Sequence, residues 1–192
     1  MAKLNPGDRF PDFTFQTAKG ETLKVSEVLR RKQKTVFWVL RYIGCTTCRY
    51  DIQVISEKYP EFLSRNAQVL VVLQSPRETV LEEMAKAEAA GHGFAPGLDI
   101  ICDPDFAIYS RFSIEAAPDK ERLLPSSPDE VAKLNAKREK VKAAGIVHGK
   151  YEGEELQLPA LFIVGQDGVV VEARYAKNLI DMPTPDELLA RL

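Results

Sequence analysis

Two unbroken apolar runs, VFWVL at residues 36–40 and VLVVL at 69–73, set the tightest limit on the fold. Each is strand-sized, rich in β-branched and aromatic residues, and apolar at every position rather than at alternate ones. That pattern belongs to a strand covered on both faces. Such strands sit inside a sheet with helices above and below it. Helical stretches follow each run. Residues 46–59 carry Arg49, Ile52, Val54 and Ile55 onward to Tyr59, and Pro60 then interrupts. Ser75-Pro76 opens a second helix reaching about residue 90, with Val80, Leu81, Met84 and Ala87 as its inner stripe. Residues 99–102 read as a third strand and 106–112 as a short helix.

The alternation β, α, β, α, β, α predicts an α/β fold with a central sheet flanked by helices on both faces. Before it, Asn5-Pro6-Gly7-Asp8 is a turn signal, and Phe10, Phe13 and Phe15 can anchor the lead-in. GETLKVSEVL gives a short strand, a Ser26 cap and a short helix ending near Lys32. Residues 115–158 break the rhythm. A Pro- and Ser-rich loop precedes a helix begun by Ser127 or Asp129 and ended at Gly145, with Val131, Leu134, Arg138 and Val141 on one side; the polar HGKYEGEELQ follows. The stretch is expected as a partly helical insertion, exposed over one edge or end of the sheet. LPALFIVGQDGVVVEARY closes the sheet with an antiparallel hairpin turned at Asp167-Gly168, and a helix runs from Pro185 to Leu192. One domain spanning 1–192 accommodates all of this.

Composition narrows function mostly by exclusion. Lys and Arg number 26 against 28 Asp and Glu, so the basic excess of a nucleic-acid binder is missing. No run approaches a membrane span, and MAKLNPGDRF lacks the apolar core of a signal peptide, so a cytoplasmic protein is expected. The three cysteines, Cys45, Cys48 and Cys102, are too few for a disulfide scaffold. No cofactor is implied. A zinc site completed by His92 and His148 is poorly supported, since there is no second CxxC and both histidines lie far off in loops. Cys102 reads as a buried apolar residue.

The chemistry therefore concentrates in RYIGCTTCRYD, residues 41–51, directly after the first buried strand. A CxxC between a strand and a helix is a redox motif. Thr46 or Thr47 can cap the helix. Its free N–H groups and dipole favour a thiolate, and Cys48, in the first turn, would gain most. Arg41 and Arg49 can add positive charge. Trp38 is a packing residue that can also line the site. Pro159, directly before a later strand, sits where a cis proline often accompanies such thiols.

These motifs resemble the peroxiredoxin (AhpC/TSA) family of the thioredoxin-fold superfamily, in an atypical branch carrying CxxC. NPGDRFPDFTF resembles the family lead-in, ICDPDFAIYSRFSI its Asp-Pro strand end and short helix, and LPALFIVGQDGVVVEARY its closing hairpin. Laid on the family motif Pro-x-x-x-Thr-x-x-Cys, the peroxidatic position falls on Cys48, the threonine position on Cys45 and the proline position on Arg41. The first cysteine of a thioredoxin also falls at Cys45, and Pro159 takes a thioredoxin-like role, so the site looks hybrid. The resemblance implies a thiol peroxidase reducing hydrogen peroxide or organic hydroperoxides, with a Cys48 sulfenic acid resolved by Cys45. It also implies a thioredoxin-like dithiol reductant and, as often in the family, a homodimer. Two alternatives stay open: a thiol–disulfide reductase with Cys45 as nucleophile, and a non-catalytic binding protein on the same scaffold.

Overall fold

The computed structural model describes residues 2–192. Its centre is a five-stranded mixed sheet built from β3 (Lys34–Val39), β4 (Ala67–Leu73), β5 (Asp99–Cys102), β6 (Ala160–Gly165) and β7 (Val170–Tyr175), in the order β5-β4-β3-β6-β7. β3, β4 and β5 are parallel; β6 and β7 add on antiparallel. A small hairpin of β1 (Thr14–Gln16) and β2 (Thr22–Lys24) precedes them. This is the thioredoxin-like α/β arrangement expected from the sequence.

The unbroken apolar runs do what a doubly covered strand requires. In β3, Val36 and Trp38 face one core while Phe37 and Val39 face the other; in β4, Val69 and Val71 oppose Leu70 and Val72 in the same way. The first core is shared with α2 (Thr46–Glu57), α3 (Tyr59–Ser64) and, through Val80, α4 (Arg77–Ala89). The second holds α1 (Val25–Leu29) and α5 (Ala107–Arg111), with Phe10 stacked on Phe37 at 4.5 Å between ring centroids. The hairpin between β6 and β7 turns at Gly168, whose φ of +81° a side chain would strain.

Several local expectations change. Ser26 does not cap α1: Lys24 stands at the N-cap, and Asp12 instead accepts the Ser26 amide at 3.0 Å. α4 buries Glu83 beside Val80, because Arg49 reaches it at 3.0 Å and Lys86 at 2.7 Å. The insertion is not a surface excursion. It contains α6 (Lys120–Leu123) and α7 (Pro128–Ala143), the latter capped by Ser127 as expected. Leu134 and Val141 of α7 are buried, and Lys137 pairs with Asp51 of α2 at 2.7 Å. The polar stretch after it lies across the CxxC. The C-terminal α8 (Pro185–Leu189) opens with a Thr184–Glu187 capping box.

Asp103 holds the frame behind the site. Its buried carboxylate accepts from the amides of Ala107 at 3.0 Å, Ile108 at 2.8 Å and Tyr109 at 3.3 Å, starting α5. Tyr109 then donates its hydroxyl to Leu40 O at 2.7 Å, just before Arg41. Replacing Asp103 with alanine strands these amides away from water, and the expected loss is about 2 kcal/mol. A lower urea midpoint at unchanged slope checks it.

Candidate active site

The chain crosses from β3 to β4 and β5 on one side and returns through β6 on the other. The site lies at the carboxyl end of the central strand, where such sheets bind their ligands. Residues 40–45 leave β3 there. Tyr109 and the Gln74 amide hold the Leu40 and Arg41 carbonyls, and Ser75 Oγ accepts the Ile43 amide at 2.8 Å. Cys45 is the N-cap of α2 and Cys48 lies in its first turn. Neither Thr46 nor Thr47 caps the helix. Thr47 turns its hydroxyl back to the Cys45 sulfur at 3.2 Å, a contact that the expected capping role obscured.

Both thiols are free and buried, Cys45 being 3% and Cys48 4% exposed. Their environments differ. The Cys48 side chain hydrogen-bonds the Cys45 sulfur, and Arg41 Nη1 donates to that sulfur at 3.6 Å. The Cys48 contact first, then Arg41 and Thr47, hold Cys45 well below the usual thiol range despite its burial. Burial pushes Cys48 well above that range, and the adjacent Cys45 charge adds to the push. The guanidinium and the Thr47 hydroxyl are directed at Cys45, not at Cys48, where the greater gain was expected. The helix end acts on both sulfurs, but the Arg41 guanidinium and the Thr47 hydroxyl hydrogen-bond Cys45.

The other expected residues divide. Arg41 contacts the Cys45 sulfur, is 8% exposed, and donates through Nη2 to the Glu155 carbonyl. Arg49 does not charge the site, since it pairs with Glu83 and donates to Val147 O at 3.0 Å. Trp38 is fully buried in the core that also contains both thiols. Pro159 directly precedes β6, and no cis peptide bond occurs among the described residues, so the expected cis proline is not found. Cys102 is half-buried, and burial pushes its thiol up to about 11. No group of three or more His, Cys, Asp or Glu residues that could hold a metal occurs among the described residues.

Sequence reasoning missed the cover over the thiols. Residues 147–155 pass across Gly44, with the Gly149 amide donating to Gly44 O at 2.8 Å. A Cβ on Gly44 would stand 2.1 Å from Lys150 O, so only glycine admits the strap there. His148 Nε2 is 3.3 Å from the Tyr42 hydroxyl and its ring stacks on Tyr151 at 4.1 Å. The glycines of HGKYEG were the only local signal of close packing.

With the guanidinium removed, the Cys45 thiolate loses its charge partner. In Arg41→Ala the acid limb of the thiol alkylation rate is expected to move to higher pH. The sign follows from direction: a depressed thiol stays ionised down to its lowered pKa, and removing a cation raises that pKa. Alkylation rates measured across pH check this.

A thioredoxin-like sheet with a buried pair of free thiols at the end of its central strand, one sulfur facing a guanidinium, defines a thiol-dependent oxidoreductase. The AhpC/TSA family profile matches residues 6–173, and the chain belongs to that family, whose members act as thiol-dependent peroxidases. Solved structures agree on the fold. A yeast mitochondrial 1-Cys peroxiredoxin superposes with a TM-score of 0.68 at 13% identity, over 97% of this chain and 73% of that one. Peroxidoxin BcpB from Mycobacterium tuberculosis gives 0.65 at 14% identity, over 97% and 95% of the two chains. A reduced Plasmodium vivax 2-Cys peroxiredoxin gives 0.66 at 14% identity, over 98% and 94%. No curated protein matches the chain.

Proposed function

We propose that this chain is a CxxC-type peroxidase in which Cys45 attacks the peroxide and Cys48 resolves the product. The carrying observation is the Arg41 guanidinium, which donates to the Cys45 sulfur beside Thr47 Oγ1. The Cys45 thiolate attacks one peroxide oxygen and the O–O bond breaks. Cys45 becomes a sulfenic acid, and the leaving hydroxide or alkoxide takes a proton to give water or an alcohol. The Cys48 sulfur then attacks the sulfenic sulfur and loses its proton. The S–S bond forms as the second oxygen leaves as water. A thioredoxin-like dithiol protein returns two electrons and two protons through a mixed disulfide. The yeast relative is described as resolved through glutathione and thioredoxin systems, which supports a reductant of this kind. A pair of free thiols suits a reducing compartment, and we place the reaction in the cytoplasm.

The test is stoichiometric. One equivalent of hydrogen peroxide added to reduced protein is expected to remove two titratable thiols and leave Cys102 reduced, faster than peroxide oxidises a free thiol. Reaction no faster than a free thiol overturns the reading.

A further inference from the structure

Residues 147–155 cover the thiol pair, and Arg41 touches both the pair and the strap. Arg41 is the common fastener. One Nη donates to the Cys45 sulfur, the other to the Glu155 carbonyl, and its Nε has no hydrogen-bond partner among the described residues. Other ties do not involve the thiols: Arg49 donates to Val147 O at 3.0 Å, and Tyr42 packs against the rings of His148 and Tyr151. Gln74 Nε2 donates to Glu152 O at 3.2 Å and Glu154 O at 2.9 Å, Ser75 Oγ donates to Glu152 at 2.7 Å, and Gly149 N donates to Gly44 O. While the strap is seated, a protein dithiol cannot reach sulfurs exposed by 3% and 4%, whereas a peroxide needs only a small local opening.

We propose that residues 147–155 are a redox-released strap, latched by Arg41 onto the Cys45 thiolate and freed when the Cys45–Cys48 disulfide forms, which admits the dithiol reductant. The proposal rests on Cys45 being the thiolate of the pair. A disulfide sulfur is neutral and a weak acceptor, so its formation strips Arg41 of the one anion it touches among the described residues. A guanidinium left buried without a counter-charge is unfavourable, and it turns outward. The Glu155 carbonyl then loses its donor and the strap its inner fastening. The closed form accordingly selects small peroxides over protein disulfides. The open form presents the disulfide to its reductant.

Hydrogen exchange on the full chain tests this, comparing reduced protein with protein oxidised by diamide. Diamide takes two hydrogens from the thiol pair and forms the disulfide without any peroxide chemistry. The amides of Gly149 and Glu154 are expected to exchange at least about tenfold faster in the oxidised form, with β4 unchanged. Equal protection in the two forms overturns the proposal. Gly149→Ala supplies a second reading, since its Cβ would lie 2.9 Å from the Gly44 Cα and unseat the strap. Its reduced thiols should react with a bulky maleimide about tenfold faster than wild type, while iodoacetamide rates change less. Unchanged maleimide access also overturns it. If diamide frees the strap but peroxide is not consumed, the gate stands and the peroxidase reading falls.

Discussion

Cys45→Ser is expected to lower the first-turnover rate with hydrogen peroxide by on the order of 10³-fold or more, the scale of losing a nucleophile. Cys48→Ser should behave differently. It keeps the thiolate, Arg41 and Thr47, so the first peroxide is still consumed and a sulfenic acid accumulates on Cys45. The reaction then stops, because no neighbouring thiol closes the disulfide. Serine at 48 can still donate a hydrogen bond to the Cys45 sulfur, so that variant retains much of the thiolate stabilisation it replaces. Stopped-flow peroxide consumption and trapping of the sulfenic acid with a dimedone reagent separate the two. The opposite pattern, a first turnover kept in Cys45→Ser and lost in Cys48→Ser, assigns the attack to Cys48, as the family motif implies.

Lys137→Ala is expected to be the most destabilising single change outside the two cores, by about 3 kcal/mol. Asp51 lies on α2 three residues after Cys48, with a side chain 13% exposed, and Lys137 of the insertion is its ion partner. Burial already raises the Asp51 pKa, only partly offset by Lys137, and the Cys45 charge pushes the same way. Without Lys137 the carboxylate is a buried, unpaired charge. The sign of the pH effect follows. A raised folded pKa means the native chain holds the proton more tightly than the unfolded chain, where the value is near 3.8. Stability is therefore lost as pH rises through that window and regained as Asp51 is protonated. The deficit of Lys137→Ala should be full at neutral pH and shrink on acidification toward 3.8. Denaturant melts at several pH values measure it. The double variant Asp51→Leu with Lys137→Met, which removes both charges and keeps the volume, should recover most of the loss.

Much of this architecture is written locally in the chain. The runs at 36–40 and 69–73 demand a sheet covered on both faces, because every position in them is apolar. Asp167-Gly168 demands a hairpin, and Ser127 does start α7. The thiol pair could be placed at a strand-to-helix junction because strand, cysteines and helical pattern are contiguous. Capping was less legible. Lys24 and Cys45 stand at N-caps without side-chain capping bonds; Asp12 instead accepts an α1 amide from outside the helix, and Thr47 turns its hydroxyl to a sulfur. Such choices depend on what lies across the fold.

What the sequence by itself determined, then, is the layered α/β fold and the location of a redox pair at the end of its central strand. Those follow from residue patterns repeated within a few positions of one another. Tertiary structure decided which sulfur the guanidinium faces and what covers the pair. Desolvation and Coulomb attraction act through space. The fate of Cys45 and Cys48 turns on where one guanidinium points, on a hydroxyl two residues away, and on a strap contributed from about a hundred residues further along the chain.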